Sequence, residues 1–131
     1  MQVRAEFQKR EVVFANEYTY VPSPLPGVSR MMLDRMGDEV ARATSIVKYA
    51  AGAGYSGHTH GGGEEILVLQ GLFRDEYGEY PAGSWLRNPR WSKHTPYTGA
   101  EGALIYVKVG HLGANFLPLP AYQPKVEFQF P

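Results

Sequence analysis

The chain has 131 residues, which fits one domain large enough to bury a core without staples. Thirteen Lys and Arg balance thirteen Asp and Glu, so no net field recruits nucleic acid or an anionic membrane. Cysteine is absent, which removes disulfides, thiolate nucleophiles and thiolate metal sites and leaves His, Asp and Glu as the strong side-chain ligands.

From the N-terminus, Met1–Glu6 lacks the basic-then-apolar layout of a secretory signal. No apolar stretch approaches the roughly 18 residues of a membrane span. The expectation is a soluble, cytoplasmic protein. Fifteen glycines and ten prolines punctuate the chain and leave short runs between them, which points to strands. Phe7–Phe14 reads as a first strand. Val21–Gly27 is a connector too rich in proline to join a central sheet. Val28–Met36 and Val40–Ala50 read as strands joined by a turn at Gly37–Asp38; Gly37 breaks any helix over Met31–Ala43. Glu64–Gln70, bounded by glycines, is the clearest strand, and Leu72–Tyr77 after Gly71 suggests a hairpin. Ser84–Asn88, His94–Tyr97 and Ala103–Val109 complete a series of short, closely spaced strands, the pattern of a β-sandwich or barrel. The tail, Pro118–Pro131, reads as an edge strand, with alternation over Lys125–Phe130, or as an arm that packs on a second subunit. With Tyr122, Phe128 and Phe130, and Phe116 just before it, the tail carries more aromatic surface than a free arm should expose. Sheet edges also want covering. The expectation is a homodimer in which the N-terminal strand and this tail form the interface. There is no internal repeat or linker, so the chain is one domain over 1–131.

Three of the four histidines fall into one candidate site. Side chains alternate along an extended strand, so His58 and His60 project to the same side. Gly61-Gly62-Gly63 allows a sharp turn, after which Glu64 can begin the next strand facing the same interior. Ile66 and Val68 share its face and give an apolar lining beneath a polar mouth. With His94 added, three imidazoles and one carboxylate suit Fe, Zn, Ni, Cu or Mn, and an all-oxygen Mg or Ca site would look different. An isolated HxH is more often a surface pair, so the weight rests on the joint pattern. Glu65 faces outward by alternation, and His111 ends the last strand with a surface role. Tyr106 and Lys108 share a face opposite Ile105, Val107 and Val109. Tyr106 is the candidate pocket residue, able to hydrogen-bond a substrate oxygen if it points inward and a rim tyrosine if it does not. Arg87 and Trp91 are placed to shape an entrance, and Trp85 reads as core.

The joint spacing resembles the cupin family. Gly52, five residues, His58-Thr59-His60, three residues, Glu64, six residues and Gly71 reproduce the first cupin motif without a gap. Gly83, five residues, Pro89, then His94 follow the second in spacing, with Trp91 where that motif has glycine and Thr98 where it has asparagine. Within the cupins, Gly62–Gly78 and Tyr80–Pro89 look like the ChrR-type domains, a likeness that runs from about Tyr20 to Val109. The resemblance implies an all-β, single-domain cupin, a double-stranded β-helix or jelly-roll barrel, with a motif core of about 28–110. It also implies that His58, His60, Glu64 and His94 hold one divalent transition metal ion, Fe(II) or Zn ahead of Mn or Ni. In that family the domain is the metal-binding sensory half of an anti-sigma factor that responds to oxidants. The helical, cysteine-bearing sigma-binding half has no counterpart in this sequence, so anti-sigma activity is not expected. Other relatives of this shape are stand-alone dioxygenases. The expectation is a metal-dependent dioxygenase or related enzyme acting on a small oxygenated molecule, such as a diketone or hydroxyaryl ketone. The alternative is a non-catalytic sensor of the ChrR type.

Overall fold

The computed structural model describes residues 1–38, 40–54 and 61–113, and the backbone pairing of His58 and Thr59. The tail expected at Pro118–Pro131 lies outside the described residues. The strands are β1 (Gln2–Val3), β2 (Val21–Pro22), β3 (Val28–Gly37), β4 (Ala41–Tyr49), β5 (His58–Thr59), β6 (Glu64–Asp75), β7 (Gly78–Pro81), β8 (Trp85–Asn88), β9 (Lys93–His94) and β10 (Tyr97–Val109). Among the described residues the one helical turn is a 3-10 turn at Ala15–Glu17, and no helix is long and apolar enough to cross a membrane. A large antiparallel sheet runs β1-β3-β4-β10-β6-β7, with β2 on β3 and β8 on β6. A second, two-stranded sheet pairs β5 with β9, and His58 stands opposite His94 in its register. This is an all-β architecture of two antiparallel sheets, as expected.

Alternation places the core. Along β6, Glu64, Ile66 and Val68 are buried, while Glu65, Leu67 and Leu69 face outward. Val47, Phe73, Ile105 and Val107 join Ile66 and Val68, and the Tyr49 and Phe73 rings meet edge to face at 5.6 Å. Register ties the strands into cross-sheet rows. Arg35, Ala43, Val109, Glu64 and Asn88 are successive partners across five strands. Two rows deeper, Arg30, Val47, Ile105 and Val68 are aligned in the same way.

Four expectations give way. Gly71 is not a turn. It lies at φ 79° inside a continuous β6, against Gly102 and Ala103, and the register with β10 slips beside it. A glycine in the left-handed region makes a bulge there, and the reversal waits for Glu76-Tyr77, where Asp75 Oδ1 accepts the Tyr77 N–H at 2.9 Å. Likewise β10 is one long strand from Tyr97 with a register shift between Thr98 and Ala103, where two strands were expected. Phe7–Phe14 forms no strand. β1 and β2 already occupy the β3 edge, and the segment carries a charged middle, Lys9-Arg10-Glu11. It joins an N-terminal stretch lying over the outer face of the sheet: the Arg42 guanidinium stacks on the Phe7 ring and the Lys48 ammonium on Tyr20. Trp85 is not core; it is 56% exposed, with the Arg87 guanidinium 4.9 Å from its ring centroid.

Gly71 and Gly83 separate backbone strain from collision. Both have positive φ, but a Cβ at Gly83 meets nothing, whereas one at Gly71 would collide with the Gly102 carbonyl oxygen. Gly83→Ala should lose about 1–2 kcal/mol for its left-handed backbone. Gly71→Ala should lose a further ~1–3 kcal/mol for overpacking. Urea unfolding of the two variants measures the difference, and equal losses would remove the collision.

Candidate metal centre

Glu64 opens β6 and His94 closes β9, so they reach the interior from two different sheets. Both are almost fully buried, at 4% and 2% exposure, and Glu64 Oε1 lies 2.6 Å from His94 Nε2. Each is held from behind. Asn88, the β8 partner of Glu64, donates its side-chain N–H to the same carboxylate oxygen at 3.0 Å. On the far side of the imidazole, Nδ1 faces Asp75 Oδ2 at 3.9 Å. Asp75 is itself buried and accepts the Tyr80 hydroxyl at 2.9 Å. Burial, then that hydrogen bond and the charges of Asp75 and Glu76, push the Tyr80 phenol up to about 12. Glu76 accepts the Thr95 backbone N–H at 3.0 Å, which clamps the end of β9 to the β6–β7 turn and holds its own carboxyl below the usual range.

The electrostatics of His94 follow from these neighbours. Burial pulls the imidazole down, but the hydrogen bond and charge of Glu64, with Asp75 and Glu76 behind, outweigh it and hold the group above the ordinary histidine value. A cation is therefore favoured between these two donors. A proton or a divalent ion meets the same preference. Two donors bound side by side on one ion, at bonds of ~2.0–2.2 Å, stand about 3 Å apart, close to the spacing of this pair. Among the described residues no group of three or more such donors is assembled. His60, like the side chain of His58, lies outside the described residues.

The pair forms part of the wall of a cavity of about 700 Å³, within the range of small-molecule sites. Its apolar lining includes Ile66, Phe73, Ile105, Val107 and Val109. Trp91 stands at the rim, 68% exposed, with φ 66° at the position where the cupin motif has glycine. Thr98, at the motif's asparagine, is buried; its hydroxyl donates to the Ala50 carbonyl at 2.7 Å and its N–H to Ala53 at 2.8 Å, pinning the loop after β4.

Other candidates separate from the site. Tyr106 is not among the cavity-lining residues. It pairs with Ile46 and Leu67 on the opposite face from Ile105 and Val107, because alternation along β10 turns it outward. Burial, then the charge of Asp34, raises its phenol pKa. Lys108 shares that outward face. Glu65 faces out as expected, where Arg87 Nη2 pairs with it at 2.8 Å and His111 Nε2 lies against it. The His111 contact lowers the Glu65 carboxyl, burial raises it, and Arg87 adds to the lowering. Sequence reasoning missed Asn88 and Asp75. Asn88 was legible as the residue before Pro89 on the strand paired with Glu64; Asp75 looks from sequence like an ordinary turn residue.

No curated protein matches the chain. Among solved structures it resembles an RmlC-like cupin protein from Ralstonia eutropha, at 20% identity and TM-score 0.66 over 79% of this chain and 71% of that one. It also resembles a chain of the Rhodobacter sphaeroides complex of SigE with the anti-sigma ChrR, at 24% identity and TM-score 0.61 over 73% of this chain, and spans about half, 51%, of that chain. An acetylacetone dioxygenase from Acinetobacter johnsonii is similar at 18% identity and TM-score 0.61, over 77% of this chain and 72% of that one. These likenesses concern the fold. Residues 8–113 match the family model of the ChrR cupin-like domain, most of the chain's length, and the protein belongs to that family.

Proposed function

We propose that His58, His60, Glu64 and His94 hold one divalent transition metal ion, Fe(II) or Zn ahead of Mn or Ni, and that the adjoining cavity takes a small oxygenated molecule. The reading is a metal-dependent dioxygenase or related enzyme acting in the cytoplasm on a compound such as a diketone or hydroxyaryl ketone. The observation that carries it is the meeting of Glu64 and His94 at 2.6 Å, buried in the wall of an apolar cavity. The likeness in fold to an acetylacetone dioxygenase supports it.

The ion, when bound, supplies Lewis-acid and redox chemistry. The chain's own residues supply position and surroundings. Asn88 fixes the Glu64 carboxylate. The carboxylates of Glu64 and Asp75 bracket the His94 ring, the outer-shell arrangement that orients ligating histidines. Ile66, Ile105 and Val107 would give the donors an apolar surround. Family membership favours a second reading, a sensor without turnover in which an oxidant displaces the ion or modifies a ligand.

We also infer a homodimer. Phe7, Val12 and Phe14 expose apolar surface on the N-terminal segment, and Val21 and Met36 lie beside the same edge of the large sheet.

His94→Ala removes a donor and a hydrogen-bond partner of a buried carboxylate. Leaving one partner of a buried charged pair alone costs about 3–5 kcal/mol, still below most of the ~5–15 kcal/mol range of an ordinary domain. If the ion is catalytic, the variant should stay folded, lose metal and lose oxygen uptake on β-diketones and hydroxyaryl ketones. A collapse of the melting temperature, matched by a chelator and without activity on any such compound, would make the ion structural. Loss of metal on oxidant treatment, without turnover, would favour the sensor.

The ion competes with the proton that Glu64 helps His94 to hold, so metal affinity should fall as pH drops below that raised pKa and level off above it. Chelator competition at stepped pH reads this, and a flat profile through the histidine range would take His94 out of the ligand set. For the stripped protein the sign reverses. Stability from the raised pKa is fully present below the unfolded value of ~6.5 and is lost as pH rises through the folded value. Light scattering at micromolar concentration should return a dimer mass; a monomer mass removes the dimer.

A further inference from the structure

The cavity wall carries charge that the metal reading does not use. Arg35 lines it at 5% exposure, and Arg30 lines it partly buried. They are five residues apart on one strand, a spacing that puts side chains on opposite faces of a regular sheet. A register shift between Met32 and Asp34 changes that parity, and both arginines come to the inner face. The bulge is held in place: the Arg4 guanidinium donates to the Leu33 carbonyl at 2.5 Å and to the Met32 carbonyl at 2.6 Å. Register then sets their depth. Arg35 is in the row of Glu64, and Arg30 is two rows deeper, beside Val47 and Ile105.

Among the described residues, the groups that bring charge to the cavity wall are thus the guanidinium groups of Arg30 and Arg35, the Glu64 carboxylate and, when protonated, the His94 imidazole that Glu64 meets. An ion on Glu64 and His94 would make the wall more positive still. Guanidinium is charged at every working pH and presents a fork of N–H donors that matches a carboxylate; the Asp38 carbonyl is among the partners of Arg35. Apolar walls strengthen the field such a wall exerts. Resting on the reading of this cavity as the ligand site, we infer that its ligand is a small carboxylic acid. Arg35 and Arg30 receive the carboxylate, and the apolar wall at Ile105, Val107 and Phe73 receives an alkyl or aryl body. Among the small oxygenated molecules of the proposed function, this selects those that carry a carboxylate.

The test is calorimetric titration with benzoate, phenylacetate and hydrocinnamate, each beside its neutral primary amide, on chelator-treated and zinc-loaded protein. The expected result is an acid that binds about tenfold tighter than its amide in both states, a difference of ~1.4 kcal/mol. Arg35→Met and Arg30→Met should each bring the ratio toward one, and Arg35→Lys should keep part of it; circular dichroism confirms folding. If a methionine variant fails to fold, the wild-type ratio and the lysine variant decide. Equal binding of acid and amide, no binding of any acid at millimolar concentration, or a preference that survives both methionine variants overturns the inference. A preference confined to zinc-loaded protein and untouched by the arginine changes would show the ion alone reading the acid. Failure of zinc to bind, with the preference intact and lost in the arginine variants, would sink the metal reading and leave this one standing.

Discussion

The contact between Glu64 and His94 sets the terms for the rest of the barrel. A carboxylate at 4% exposure is tolerated only when its charge is met and its lone pairs are occupied. Glu64 meets the imidazole from the small sheet and the Asn88 amide from the strand beside it. His94 in turn is possible at 2% exposure because Asp75 lies behind it and Glu76 fixes the backbone that follows. These groups come from β6, β8, β9 and the β6–β7 turn. The polar cluster therefore exists only when both sheets are in register, and a slip of one residue would turn Glu64 outward and bury Glu65.

The same cluster explains why a bulge stands at Gly71. β6 has to present Glu64, Ile66 and Val68 to the interior at one end and Phe73 and Asp75 at the other. Even and odd positions cannot share a face in a regular strand, so the parity must change once between Val68 and Phe73. The register shifts against β10 in that interval supply the change, with Gly71 at φ 79° among them. β3 makes the same adjustment near Leu33, and the arginines on either side of it both turn inward. Two bulges on two strands thus decide which residues face the interior: Phe73 and Asp75 on β6, and both arginines on β3.

Sequence reasoning reached the parts that spacing and short-range alternation determine. The two glycine-framed motifs pointed to Glu64, His94 and the barrel, and alternation from Glu64 correctly put Ile66 and Val68 inside. It failed where long-range pairing decides. Gly71 has the local look of a turn, and only the chain opposite makes it a bulge. Asp75 and the second arginine sit on the inner face because of parity changes that no single-strand pattern contains. Trp85 was read as core, yet among the described residues no layer buries it on the outer face of β8, and Arg87 lies over its ring instead. Phe7–Phe14 has the apolar ends of a strand, but the β3 edge is already taken by β1 and β2.

The two departures from the cupin motif show how a backbone requirement outlasts the residue that usually meets it. At Thr98 the hydroxyl and the N–H between them hold the Ala50 and Ala53 carbonyls, so the loop after β4 is tied down without the amide of an asparagine. At Trp91 the backbone keeps the left-handed conformation, φ 66°, for which glycine is the natural choice. A bulky residue held there costs of order 1–3 kcal/mol of local strain. What the molecule gains is an indole at the cavity rim, and neighbouring residues make room for it. A Cβ on Gly61 would stand 3.1 Å from the ring, so the absence of a side chain there leaves the space the indole occupies. Arg90 reaches across, donating to the Gly61 carbonyl at 3.3 Å with its guanidinium 5.9 Å from the indole centroid. The glycine run after His60 therefore serves two ends: it lets the chain turn into β6 with Glu64 facing inward, and it gives the mouth of the cavity an aromatic edge.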